Sequence, residues 1–355
     1  MERNEPDNAA LSGAPQVYRD ALVIDGLVAA TPSHRLVSEL LAAGVNGCNW
    51  TVSSHSDETL TAINKLVPFY WLFEQFPDQT LLVETSSDLD RAKREGKLGV
   101  VLGFQGGAPL GRNMHLVRVF HRLGVRIIQL TYNEGNLLAP GALEPSDGPL
   151  TSLGVQAVQE MNRIGVVIDL SHVGRRASLE AIDASAHPVI FSHSNPRQLQ
   201  ENPRNISDEQ MRACAARGGV VGLATFSAFV GDTSHQRHPG LDAYFRQMDH
   251  ALDLIGAAHV GIGTDIFIDS TDGLWWRAVT GRLYPDVSQG MTYETHNIDG
   301  FLRHADFPSV ADAMLRHGYD DVTVRQILGD NWRRVYGQVW DRPSDTSRHD
   351  KGTIE

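Results

Sequence analysis

Apolar and polar positions along the chain follow two rhythms in alternation. Short β-branched apolar runs recur, and each leads through a loop into a longer segment whose apolar residues fall at helical spacing. The strand-like runs are ALVIDGLV from Ala21, GVNGCNWTV from Gly44, KLGVVLGF from Lys97, VRIIQLTY from Val125, GVVIDLSH from Gly165, PVIFSH from Pro188, GGVVGLAT from Gly218 and HVGIGTD from His259, eight in all. Between them lie helix-like stretches such as HRLVSELLAAG, DETLTAINKLVPFYWLFEQF, TSLGVQAVQEMNRIG and LDAYFRQMDHALDLIG, several closed by a glycine where a C-cap belongs. Strands that are apolar on both faces and alternate with helices form a parallel sheet. Eight such units, without the GxGxxG turn of a dinucleotide-binding sheet, predict an α/β protein of the (β/α)8 TIM barrel class.

The pattern also sets the domain limits. Residues 1–15 are polar and read as a flexible start, residues 16–342 as one barrel, and residues 343–355 as a flexible tail. An insertion at about 267–308 follows the eighth run, carries Trp275, Trp276 and Tyr284, and is too long for a plain connection. It reads as a lid or as an oligomer contact, the oligomer envisaged being a homodimer. The stretch DVTVRQILGDNWRRVYGQVW reads as one closing helix.

Charge narrows the function. A formal net charge of -12 over 355 residues argues against nucleic acid and against an anionic membrane surface as partners. Only Cys48 and Cys214 are present, so there is no disulfide framework and a reducing compartment is expected. No apolar run is long enough to cross a bilayer, and the expected location is cytoplasmic.

In a barrel of this class the chemistry sits at the C-terminal ends of the strands. The polar residues at those ends are Gln105, Tyr132 with Asn133, His172, His193 and Asp265, with Arg204 in the loop after the sixth run. His172 and His193 end consecutive runs in the same Ser-His context, which suits a transition metal such as zinc, although a strand-end histidine more often bonds locally. Asp265 is a candidate general base or ligand, with a helix cap as the plainer reading. Arg204 is a candidate clamp for a substrate carboxylate, although most loop arginines are solvated. No serine nucleophile elbow, Cys-His nucleophile signature or P-loop is present, so covalent catalysis is not expected.

The segments IDG, LTYN, PLTSLG, EMNRIGVVIDLSHV, PVIFSHSNPRQLQENPRNISDEQ, GGVVG, HVGIGTD and LGDNWRRVY resemble those of the renal or membrane dipeptidases, peptidase family M19. The resemblance runs from about Ala21 to Trp340 and implies a zinc dipeptidase of the amidohydrolase-like barrel class. It further implies two zinc ions, held by a His-x-Asp pair on the first strand, a bridging Glu on the third, and the histidines matching His172 and His193. It makes Asp265 catalytic and Arg204 the carboxylate ligand. The chain departs from that pattern: Leu27 and Ala29 stand where the His and Asp belong, Gln105 where the Glu belongs, and Tyr132 where a histidine belongs. A site with at most one zinc ion is therefore expected, on His172 and His193 with Gln105 as a weak third donor.

The leading expectation is a divergent dipeptidase-like hydrolase acting on a small carboxylate-bearing molecule. Asp265 would move the proton, Tyr132 would donate a hydrogen bond to developing negative charge, and Arg204, Asn133 and Tyr132 would hold the substrate. The rival reading is a non-hydrolytic barrel that binds a small ligand or serves as a scaffold.

Overall fold

The computed structural model describes residues 11, 13–54, 57–231, 233, 238–266, 284–290 and 295–341. Nine parallel strands are present among the described residues: β1 (Ile24–Val28), β2 (Gly47–Ser54), β3 (Thr80–Leu82), β4 (Leu98–Gln105), β5 (Val125–Gln129), β6 (Val167–Asp169), β7 (Ile190–Phe191), β8 (Val220–Leu223) and β9 (Val260–Ile262). Eight run in the order β1-β2-β4-β5-β6-β7-β8-β9. The last returns to the first through a parallel bridge between Val28 and Ile266 and a 3.1 Å bond from Asp265 N–H to the Leu27 carbonyl. This is a (β/α)8 barrel, and each of the eight strand-like runs supplies one of its strands. β3 lies off that path, paired with the N-terminal half of β4 from Thr80 opposite Leu98. At three residues it is too short to carry a periodic signal of its own.

The closing segment differs from the single helix that its sequence predicts. It is a short helix Asp321–Arg325, a π turn Gln326–Asp330 and a longer helix Asn331–Trp340. The interruption has a packing cause. At Gly329 the backbone presses on the start of β1, and a Cβ there would lie 2.0 Å from the Leu22 carbonyl oxygen. A π turn absorbs the extra residue needed to bring the chain that close.

That approach delivers the floor of the barrel. Ile24, Val101, Ile127, Val167, Ile190 and Val220 pack in one buried cluster with Trp332. Strands would collide with an indole in this space if they carried side chains there, because Cβ atoms on Gly26, Gly222 and Gly261 would lie 2.5, 2.8 and 2.7 Å from its ring. The Trp332 Nε1–H donates to the Ile262 carbonyl at 3.2 Å. With the N-terminal side of the lumen filled by apolar atoms, polar chemistry is confined to the opposite end. No described helix is long and apolar enough to cross a membrane. Cys48 and Cys214 are free thiols and both are buried. Of the insertion at about 267–308, residues 267–283 and 291–294, with Trp275 and Trp276, lie outside the described residues.

The indole gives the fold a direct test. Trp332→Ala should remove about 3–5 kcal/mol of stability, the usual cost of truncating a buried aromatic, read from the urea midpoint at constant slope. A loss under about 1 kcal/mol would show that the lumen floor closes without the indole.

Candidate active site

β6 and β7 are short, and a carboxylate joins them. Asp169, the last residue of β6, accepts backbone N–H bonds from Ser171 and Ser192 on Oδ1, both at 3.0 Å. Its Oδ2 accepts the Ser192 hydroxyl at 2.6 Å. Burial pushes the Asp169 carboxyl upward, and the bonds from Ser192 and Ser171 work against that rise. The Ser171 hydroxyl in turn accepts the His193 N–H at 3.1 Å. Backbone position and side-chain bonding are thereby set together at the two Ser-His ends.

His172 turns out of its strand in the left-handed region, at φ 66, where a non-glycine residue costs energy that its surroundings must supply. The result brings the two imidazoles together, with Nε2 of His172 2.8 Å from Nε2 of His193. The outer nitrogens are engaged as well. His172 Nδ1 lies 2.6 Å from Asn133 Oδ1, and His193 Nδ1 lies 2.7 Å from Ser192 Oγ. Tyr132 stacks on His172 with centroids 3.9 Å apart. Asn133, at φ 38, and Asp265, at φ 57, share the left-handed backbone of His172. Three of the four non-glycine residues with positive φ among the described residues are thus site candidates, which no composition or periodicity reveals.

Arg204, Asp265 and Tyr132 form the charged side of the site. Arg204 is 2 % exposed and lies over the Phe229 ring, 5.5 Å from its centroid. Burial lowers its guanidinium to about 10, with Tyr132, Asp265 and Asp169 opposing the fall, so it remains a cation at neutral pH. Burial raises the Asp265 carboxyl to about 7, Arg204 holds it down and Asp25 pushes it further up. The Tyr132 hydroxyl is raised by burial and then by Asp265, which keeps its proton available for donation. His193 is driven well below the usual imidazole range by burial and by Arg204, so it is a neutral base. A cavity of about 220 Å³ reaches Arg204 and His172 and is walled further by Arg175, Arg197, Glu144 and Asp147, while Asp265, Tyr132 and His193 are not among its lining residues.

Two convergent imidazoles, each with its outer nitrogen bonded elsewhere, are the arrangement of histidine ligands on one ion. Among the described residues no three His, Cys, Asp or Glu side chains gather to hold an ion. Leu27 is buried and Ala29 half-buried, and neither offers a donor. Gln105 ends β4 at the same rim, and its buried amide nitrogen has no hydrogen-bond partner. His172 and His193 are the residues that would hold an ion, and among the described residues no third His, Cys, Asp or Glu gathers with them. Asp169 and Ser192 were not singled out from sequence. Their signal was the repeated Ser-His context itself, read for the histidines and not for the serine beside them.

Comparison with known proteins adds the family. Residues 26–275 match the family model described as Membrane dipeptidase (Peptidase family M19). The chain is 29% identical over 293 residues to Dipeptidase verJ of Clonostachys rogersoniana, covering 82% of this chain and 68% of that protein. It is 30% identical over 275 residues to Dipeptidase tcpJ of Claviceps purpurea, covering 76% of this chain and 58% of that protein. The crystal structure of an amidohydrolase from Pseudomonas aeruginosa superposes with a TM-score of 0.84 at 32% identity, covering 92% of this chain and 99% of that one.

The Asp265 environment predicts a pH response with a definite sign. Its folded value of about 7 lies above the unfolded value of about 3.9. Ionising it therefore lowers stability as pH rises across that interval, while any step that needs the carboxylate gains through about pH 7. Arg204→Met removes the cation that holds the carboxyl down, so the midpoint should move higher still. Carboxyl ¹³C shifts against pH would measure both, and a wild-type midpoint near 4 would show the group to be open to water.

Proposed function

Because the chain belongs to the membrane dipeptidase family, peptidase family M19, we propose that it is a hydrolase of a small, carboxylate-bearing amide or dipeptide-like molecule, with at most one metal ion at the histidine pair. The observation that carries this reading is Arg204. Its guanidinium is buried, makes no ion pair among the described residues, and donates one hydrogen bond, to the His193 carbonyl at 3.3 Å. It walls the same cavity as His172. A buried cation with donors to spare beside a cavity is matched by a carboxylate, which takes two of its N–H groups at once.

The roles follow from position and proton state. Arg204 fixes the substrate carboxylate, with Asn133 and Tyr132 bordering the bound molecule. Asp265, about half ionised near neutrality, takes a proton from the attacking water and returns it to the leaving nitrogen, so one carboxylate and one amine are formed. Tyr132, whose proton is held firmly, donates to the carbonyl oxygen as its charge grows. Zinc, when bound to His172 and His193, would act as a Lewis acid on that carbonyl. The names of the fungal relatives, both dipeptidases, support the substrate class.

A panel of dipeptides and N-acyl amino acids, assayed with and without added zinc, tests the reading. Arg204→Ala should lower kcat/KM by about 2–5 kcal/mol, and metal analysis should find no more than about one ion per chain. Cleavage of a substrate without any carboxylate at the wild-type rate would remove the role given to Arg204. Two tightly held ions would end the one-metal proposal. Saturable binding of the panel with no turnover at any zinc concentration would favour a binding barrel instead.

A further inference from the structure

Asp169 and Ser192 stand behind His193 and take no part in the roles given above. Their bonds nevertheless decide which nitrogen of His193 carries its proton. The Ser192 hydroxyl has one hydrogen, and that hydrogen is donated to Asp169 Oδ2 at 2.6 Å. An oxygen that has given its only hydrogen away can act toward a third group solely as an acceptor. Its 2.7 Å contact with His193 Nδ1 is then a bond donated by the ring. A neutral imidazole has a single N–H, so with that hydrogen on Nδ1 the lone pair lies on Nε2, the atom that meets His172 Nε2 at 2.8 Å.

We infer that Asp169 and Ser192 are positioning residues, a carboxylate–hydroxyl relay that keeps the His193 proton on Nδ1 and presents the Nε2 lone pair to His172, where the two imidazoles converge. The direction of the relay is set by the carboxylate. Oδ1 already takes two backbone N–H bonds and Oδ2 takes the hydroxyl, and three donors converging on one carboxyl favour its acceptor form. Burial of His193, Ser192 and Asp169 excludes water as a substitute partner. The inference builds on the proposed hydrolase only in saying what the lone pair serves. It concerns this chain's own hydrogen bonds.

The test reads His193 directly, by two-bond ¹H–¹⁵N NMR on full-length, ¹⁵N-histidine-labelled protein treated with chelator. In the wild type, Nδ1 of His193 should carry hydrogen. Asp169→Asn is nearly isosteric, and its amide oxygen keeps the two backbone bonds while its NH₂ now donates to Ser192. The serine must then turn its hydrogen to His193, and Nδ1 should switch to the lone-pair shift. Ser192→Ala should leave a mixture of tautomers, and Ser192→Thr should restore the wild-type state. A wild-type Nδ1 without hydrogen, or an unchanged tautomer in Asp169→Asn, would overturn the relay. So would loss of thermal stability in these variants with no change of tautomer, since that marks a structural clamp alone. Absence of hydrolysis in the peptide panel leaves the NMR result unaffected, so the two readings fail separately.

Discussion

Two buried carboxylates hold the open end of the barrel together by the same set of bonds. Asp169 ties β6 to β7 through Ser171 and Ser192. Asp25 repeats the arrangement at the seam, accepting the N–H of Leu27 at 3.1 Å and of Thr264 at 2.8 Å on one oxygen and the Thr264 hydroxyl at 2.6 Å on the other. Hydrogen bonds to a charged group contribute about 1.5–3 kcal/mol each. They offset a desolvation cost of several kcal/mol per buried ion, so the net gain lies less in stability than in where the strands end. At one position the clamp is followed by His193 and at the other by Asp265. Two of the groups given chemical roles are therefore placed by the same device, after strands that are separated by β8 alone.

The barrel was legible in the sequence because its signal is local. Each strand is a β-branched run and each return is a helical one, so counting eight of them needs no long-range information. The candidate histidines were legible for a similar reason, since each stands at the end of such a run. What escaped was set by contacts between distant segments. The π turn around Gly329 answers to Leu22, and the lumen floor depends on glycines in β1, β8 and β9 leaving room for an indole from the last helix. The left-handed backbone at Asn133, His172 and Asp265 is likewise imposed by tertiary structure, since none of these residue types demands it.

Overall charge and local charge point in opposite directions. The chain carries a net -12, yet the cavity beside the histidines is bordered by Arg175, Arg197 and Arg204 against Glu144 and Asp147. Asp147 accepts the Arg176 N–H at 2.8 Å and pairs with Arg175 at 3.7 Å, and Glu144 accepts the Gly135 N–H at 2.5 Å. Among the described residues Arg204 has no such carboxylate partner. An acidic protein can in this way draw a small anion to one interior point, because salt screens the distant surface charge while a buried pair is screened far less.

The closing of the barrel also sets an order of events during synthesis. The bond between Asp25 and Thr264 spans 239 positions, and the Trp332 indole comes from farther still along the chain. Contacts of such separation form late, after the entropy of closing a long loop has been overcome. A ribosome-bound chain that has made β1 through β8 thus has an unpaired edge at both ends and no floor. Throughout that interval it depends on protection from its neighbours. The last helix is the piece that ends the dependence, so a chain cut short just before Trp332 would be nearly complete in sequence while remaining unsealed at its centre.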